Sequence, residues 1–98
     1  MKPHVFQRHA DDDYCKALRH YGGISPTLGQ CFYFEVERCL QEICATPQRY
    51  RRIEGEARRL LCEDFPFAII YCDQPERGVI VAVMHLKRRP GYWRERLG

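Results

Sequence analysis

The apolar run from Gly78 to His85, Gly-Val-Ile-Val-Ala-Val-Met-His, constrains the fold of this chain more than any other segment. β-Branched residues dominate the run, and no charged residue interrupts it, which predicts a central strand that is covered on both faces. The run leads directly into a segment that combines cations with aromatic residues. The members of this basic tail are His85, Lys87, Arg88, Arg89, Pro90, Tyr92 and Trp93.

The length and composition predict one globular domain, residues 1–98. With 98 residues there is room for one core, and 45% hydrophobic and 12% aromatic residues are typical of a folded chain. No stretch of about 18 apolar residues is present, so we expect no membrane span. The first eight residues lack the apolar segment of a secretory signal, which predicts a cytoplasmic protein.

The positive charge is concentrated in the second half of the chain. Residues 1–48 contain five Lys or Arg and six Asp or Glu, a balance of −1, whereas residues 49–98 contain eleven and seven, a balance of +4. This asymmetry favours an anionic partner, either a nucleic acid or an acidic protein.

The six cysteines predict neither a disulfide framework nor a metal site. No Cys-x-x-Cys pair is present, and a cytoplasmic location disfavours disulfides. We therefore expect free thiols that pack as small apolar side chains, with no metal and no cofactor. A zinc site that combines scattered cysteines with His4, His9 or His20 is the disfavoured alternative.

The first half of the chain predicts a short edge strand at Val5-Phe6 and two helices. Apolar residues recur at helical spacing from Ala10 to Tyr21, and Gly22-Gly23 is expected to end the first helix. Ser25-Pro26 is a helix start, and Pro47 stops the second helix. The predicted buried stripe of the second helix consists of Leu28, Phe32, Val36, Cys39, Leu40 and Ile43, and Tyr33 and Phe34 fall outside it.

The second half predicts a polar loop at 50–56 and then three strands, at 58–62, 67–72 and 78–85. The expected fold is therefore α+β: a short N-terminal strand, an antiparallel helix hairpin packed on a small antiparallel sheet of three to four strands, and the basic C-terminal tail.

The residues from about 5 to 97 resemble the RelE/ParE superfamily of type II toxin–antitoxin toxins, and its ParE-like branch more closely. The matching residues in the helical half are Ala10, Asp13, Tyr21, Pro26, Leu40, Ile43 and Pro47. Those in the strand half are Arg59-Leu60, Phe65-Pro66-Phe67, Ile70-Tyr71, Ala82-Val83 and the signature His85, Lys87, Arg88, Pro90 and Trp93.

The resemblance implies a bacterial toxin that a cognate antitoxin neutralises. A ParE-like toxin inhibits DNA gyrase, arrests growth and stabilises plasmids, whereas a RelE-like toxin cuts messenger RNA on the ribosome. A third possibility is a toxin fold that has lost toxicity and only binds its partner.

Ribosome-dependent cleavage requires a general base, a general acid and cations for the phosphorane charge. Relative to the RelE-like pattern, Leu61 and Ala68 stand where cations are expected, and Trp93 stands where a tyrosine is expected. The set is incomplete, so the ParE-like function is preferred and no catalytic residue is assigned with it. If the chain is an endoribonuclease, the candidates are Arg59, His85, Lys87 and Tyr92.

The predicted target-binding and antitoxin-binding residues lie on different segments. The target-binding set is Arg58, Arg59, His85, Lys87, Arg88, Arg89, Tyr92 and Trp93, and the antitoxin-binding set is Tyr21, Tyr33 and Phe34. Structural roles compete with some of these assignments. His85 would hydrogen-bond locally and fix the turn after the strand, and Tyr92 and Trp93 would fold back onto the core. One of Arg58 and Arg59 faces the helices and is expected to pair with Glu35, Glu37 or Glu42.

Overall fold

A computed structural model describes residues 3–97, which form a five-stranded sheet with two helices on one face. The elements in chain order are β1 (His4–Phe6), α1 (Arg8–Ile24), α2 (Pro26–Ala45), β2 (Arg52–Glu54), β3 (Ala57–Leu61), β4 (Phe67–Asp73), β5 (Gly78–His85) and a 3₁₀ helix (Arg94–Leu97). The strand order is β1-β5-β4-β3-β2. β1 runs parallel to β5, and the other neighbours are antiparallel.

The predicted α+β class, the short N-terminal strand and the central position of β5 are confirmed, and β2 to β5 form the expected antiparallel sheet with four strands. The loop expected at 50–56 is wrong, because β2 lies in that stretch. β2 is a three-residue edge strand with charged residues at Arg52 and Glu54, so no apolar alternation marks it. A hairpin turn joins it to β3, and Gly55 adopts the positive φ of 53° in that turn.

The expected role of Gly22-Gly23 is also wrong, because α1 continues through both glycines to Ile24. The break comes at Ser25, whose extended backbone caps α2 and whose Oγ accepts a hydrogen bond of 3.0 Å from the Leu28 N–H. The glycine that permits close packing of the two helices is Gly29 of α2, which faces the backbone of Gly22. A Cβ added at Gly29 of α2 would lie 2.9 Å from the Cα of Gly22.

The helix-side core contains the predicted stripe of α2. Phe32, Val36, Cys39, Leu40 and Ile43 are buried against the sheet, as predicted, and Leu28 is half-buried. The sheet contributes Leu60, Phe67, Ile69, Tyr71, Ile80 and Val83 to this core.

The opposite face of the sheet has its own smaller core. Its strand residues are small or aliphatic, and Trp93 of the tail covers them with only 4% of its surface exposed. The central strands are therefore packed on both faces, as the apolar run of β5 predicts. The members of this second core are Ala57, Ala68, Ile70, Val81, Ala82 and Trp93.

Within residues 3–97, neither helix has the length and apolar character that crossing a membrane requires.

Candidate functional site

Asp13 of α1 anchors the basic tail. Its carboxylate forms an ion pair of 2.8 Å with Arg96, and the two side chains are only 10% and 12% exposed. The same Oδ2 accepts hydrogen bonds of 3.2 Å from the Val83 N–H and from the Tyr92 hydroxyl. One carboxylate therefore joins α1, β5 and the tail.

Arg96 extends this connection to Gln7, between β1 and α1. Its Nη1 donates a hydrogen bond of 3.0 Å to the Val81 carbonyl, and its own carbonyl accepts one of 2.8 Å from Gln7 Nε2. We call Asp13, Tyr92 and Arg96 the tail clasp. Since the ion pair is nearly dehydrated, removal of one partner leaves an uncompensated charge in a poorly solvated position.

Tyr92 connects the tail clasp to the exposed cations. Its ring centroid lies 4.0 Å from the Arg88 guanidinium carbon and 4.9 Å from that of Arg96, within the range of cation–π contacts. Burial first, and then the negative charge of Asp13, raise the pKa of Tyr92 to about 12. At neutral pH Tyr92 is therefore a neutral hydrogen-bond donor and a poor proton-transfer group.

Two clefts meet at Arg88. The first, of about 410 Å³, lies between α1 and the end of β5, and we call it the basic cleft. The second, of about 430 Å³, lies over the tail and includes His9, Arg88 and Arg89. The polar residues that line the basic cleft are Asp13, Lys16, His20, His85 and Arg88.

Sequence reasoning missed the contribution of α1 to this site. Lys16 was not among the candidates, and His20 was named only in the disfavoured zinc alternative, although both are exposed and lie one helical turn apart. Their i, i+4 spacing was the available signal. The tail residues alone could not identify which helix would face them.

The local structural role expected for His85 is confirmed. Its Nδ1 accepts a hydrogen bond of 3.0 Å from the Lys87 N–H, and its carbonyl accepts one of 3.0 Å from the Arg88 N–H. Its ring packs edge-on against Phe67 at 5.0 Å. His85 thus shapes the turn that presents Lys87, Arg88 and Arg89, all three of which are exposed.

The expected pairing of an inward arginine with an acidic residue of α2 is wrong. Arg58 faces the helices, but its Nη1 donates to the carbonyls of Tyr50 at 2.7 Å and Gln48 at 3.3 Å. The carboxylates have other partners: Glu35 and Glu42 bind Arg38 of the same helix, and Glu37 accepts a hydrogen bond from Tyr14 of α1.

The four endoribonuclease candidates are not brought into one site. Arg59 is paired across β4 with Ile70, which belongs to the core opposite the helices. His85 is paired with Phe67, which belongs to the helix-side core. Because paired residues point to the same face, the side chains of Arg59 and His85 leave opposite faces of the sheet.

The predicted antitoxin-binding residues divide into two kinds. Tyr33 and Phe34 are 44% and 66% exposed on α2. Tyr21 is half-buried in the core, with its ring 4.9 Å from that of Phe32. A third cleft, of about 570 Å³, lies beside Phe34 and is lined by Leu28, Cys31, Phe34, Glu35, Arg38, Glu63, Asp64 and Phe65.

These elements and their order define an α+β chain with two helices packed on one face of a five-stranded, mostly antiparallel sheet. The particular similarity is to a chain in the solved structure "Chromosomal ParDE TA system from P. aeruginosa", with a TM-score of 0.76 and 19% sequence identity. The likeness covers 89% of this chain and 98% of that chain, and it confirms the fold that the sequence predicted. No protein-family model matches the chain, and no curated protein matches it either.

Proposed function

We propose that this chain is the toxin of a bacterial type II toxin–antitoxin system, that it acts in the cytoplasm by binding DNA gyrase, and that a cognate antitoxin neutralises it. The observation that carries the proposal is the shared fold with a chain of the ParDE structure, over nearly the whole of both chains. The basic tail supports a binding mode of action, since its cations are exposed on a fixed scaffold.

The proposed target contact is made by Lys87, Arg88 and Arg89. All three are exposed, and the tail clasp fixes the segment that follows them. Tyr92 and Trp93 support this surface from beneath, because Tyr92 contacts Arg88 and Trp93 is buried in the second core. His85 positions the turn, and the exposed Arg59 and the half-buried Arg58 remain secondary candidates on β3.

The proposed antitoxin surface is the exposed side of α2. Phe34 and Tyr33 offer aromatic anchors, and the adjacent cleft offers apolar walls at Leu28 and Phe65. An amphipathic helix or strand of the antitoxin would place its apolar side chains there and its acidic residues toward the basic tail.

A ribosome-dependent endoribonuclease of RelE type remains the second candidate, because one observation favours it. His20 and His85 line the same cleft as Lys16 and Arg88, which combines two imidazoles, the side chain that most often transfers protons in enzymes, with two cations. Two observations favour the binding function instead. Arg59 lies on the opposite face of the sheet from this cleft, and the raised pKa of Tyr92 keeps its hydroxyl neutral.

A paired assay distinguishes the two functions. The purified chain is added to gyrase with relaxed plasmid, and in parallel to ribosomes that carry a defined message. We expect loss of supercoiling with an intact message, and cleaved message with normal supercoiling would contradict the proposal. If neither changes, and growth is also unaffected by expression, the chain has kept the fold without the toxicity.

The assay uses two matched double variants, each of which replaces two adjacent arginines. Replacing Arg88 and Arg89 with alanine should abolish inhibition without unfolding the chain. Replacing Arg51 and Arg52 with alanine removes the same charge from exposed positions at the far edge of the sheet and should leave inhibition intact.

A further inference from the structure

A cluster of two thiols and a carboxyl group lies between α2 and the end of β3. Glu35 and Cys39 are one helical turn apart on α2, and Cys62 directly follows β3. The Cys39 Sγ lies 3.8 Å from the Cys62 Sγ and 3.6 Å from Glu35 Oε2. Within residues 3–97, no other three histidine, cysteine, aspartate or glutamate side chains bring their ligand atoms within 4.8 Å of one another.

These distances fit the edges of a tetrahedral zinc site. With zinc–sulfur bonds of about 2.3 Å, two thiolate sulfurs at tetrahedral positions are separated by about 3.8 Å. With a zinc–oxygen bond of about 2.0 Å, the sulfur–oxygen separation is about 3.5 Å. A disulfide instead requires the two sulfurs to approach to about 2.05 Å, a displacement that the zinc geometry does not need.

We propose that Glu35, Cys39 and Cys62 bind one zinc ion through two thiolates and one carboxylate oxygen. Both thiols lose their protons to the solvent when the metal binds, so each zinc bound releases two protons. A water molecule completes the tetrahedron from the side of the cleft beside Phe34. This inference differs from the sequence expectation of no metal, because the ligands come from a helix and a strand end, with no local Cys-x-x-Cys spacing to mark them.

Arg38 provides the electrostatic and geometric support that such a site needs. Its Nε and Nη2 donate hydrogen bonds of 2.8 Å and 2.7 Å to the two carboxylate oxygens of Glu35, and the Glu63 N–H also donates to Oε2. The carboxylate is therefore held in one orientation. Two thiolates, one carboxylate and Zn²⁺ carry a charge of −1 together, and the guanidinium compensates it.

The site also has a path for metal entry. Cys39 is fully buried, but Glu35, Arg38 and Glu63 line the cleft of about 570 Å³. A bound ion would add a connection between α2 and the segment from β3 to β4, which the ion pair of Arg38 with Glu63 and the hydrogen bond from Glu63 N–H to Glu35 already join. The best competing pair, Cys44 and His4 at 3.4 Å, supplies only two ligands.

The test uses the whole chain, reduced and freed of metal with a chelator, and titrated with Co²⁺ and then with Zn²⁺. We expect one Co²⁺ per chain, with the intense d–d bands of tetrahedral cobalt and a thiolate-to-cobalt charge-transfer band, both removed by one equivalent of Zn²⁺. Native mass spectrometry should show one zinc per chain, and zinc should raise the melting temperature.

Two site variants and two control variants locate the metal. Cys62→Ser and Glu35→Gln should each weaken zinc binding by at least about 100-fold, more than the loss of an outer-shell partner costs. Cys72→Ser, behind the sheet, and Cys44→Ser, beside His4, should leave the affinity unchanged. Circular dichroism of each metal-free variant confirms that it folds.

Three results would overturn the proposal. Unchanged zinc affinity in both Cys62→Ser and Glu35→Gln would place the metal elsewhere, as would its loss in Cys44→Ser. Absence of stoichiometric binding by the reduced chain would exclude a zinc site. If that chain also formed a Cys39–Cys62 disulfide on mild oxidation, the cluster would be a redox pair instead. Each of these results is independent of gyrase inhibition.

Discussion

Replacement of Arg96 with methionine tests whether the tail clasp holds the basic tail on the fold. The substitution keeps a long side chain but removes the guanidinium from a pair whose members are 12% and 10% exposed. Removing one partner of a buried ion pair costs about 3–5 kcal/mol. Asp13 retains hydrogen bonds from the Val83 N–H and the Tyr92 hydroxyl, so we expect a loss at the lower end, about 3 kcal/mol.

Chemical denaturation of the purified variant measures this loss directly. A change of about 3 kcal/mol corresponds to a melting temperature lowered by roughly 12–24 °C in a domain of this size. Arg94→Met is the matched control in the same 3₁₀ helix. Its ion pair with Glu54 is as short, 2.6 Å, but the side chains are 62% and 41% exposed, so we expect a loss of at most about 1 kcal/mol.

A double-mutant cycle completes the test. Because Asp13→Asn removes the charge that Arg96→Met leaves unpaired, the double variant should be more stable than the sum of the two single losses predicts. Equal losses for Arg96→Met and Arg94→Met, or additive losses in the cycle, would refute the claim that a dehydrated ion pair fixes the tail.

The other predictions concern the core, the helix contact and the response to alkali. Trp93→Ala should cost about 3–5 kcal/mol in denaturation, because the indole covers the second core, and a loss below about 1 kcal/mol would contradict that role. Gly29→Ala should destabilise the chain, since the new methyl group would lie 2.9 Å from the Gly22 backbone. Gly23→Ala, with open space around it, should stabilise the chain by up to about 1 kcal/mol. If Gly29→Ala and Gly23→Ala have the same effect in thermal denaturation, the close helix contact is contradicted. Burial raises the pKa of Tyr71 to about 12, so its stabilising contribution is complete below pH 10 and is lost as the pH rises to 12. Between pH 9 and pH 11, the unfolding free energy of the parent chain should therefore decrease by about 1 kcal/mol more than that of Tyr71→Phe. If the two free energies change in parallel with pH, the raised pKa of Tyr71 is contradicted.

The elements that the sequence predicted correctly are those with a local periodic signal. The buried stripe of α2 follows helical spacing, and β5 is a continuous apolar run. Both are buried in the structure, as predicted. β2 had no such signal, because an exposed edge strand of three residues carries no apolar alternation. The prediction that Gly22-Gly23 ends α1 was wrong because neither glycine adopts the positive φ of a helix C-terminal cap, and the helix ends only at the extended Ser25.

Only the part of the candidate site that the basic tail contributes could be predicted from the sequence. The cations that follow β5 were identified from composition, but their neighbours Lys16 and His20 depend on which helix packs against the strand end. The ion pair of Asp13 with Arg96 and the approach of Cys39 to Cys62 join residues far apart in the chain. Such contacts arise from topology, which local spacing does not encode.

The proposal that the exposed cations of the basic tail bind DNA gyrase is tested by measuring the affinity of the chain for purified gyrase at several salt concentrations. We predict stoichiometric binding that weakens as salt increases, because exposed cations make the contact. We also predict at least tenfold weaker binding when Arg88 and Arg89 are replaced with alanine, and unchanged binding when Arg51 and Arg52 are replaced. Absence of binding by the folded chain, or equal affinity of the two double variants, would contradict the proposal.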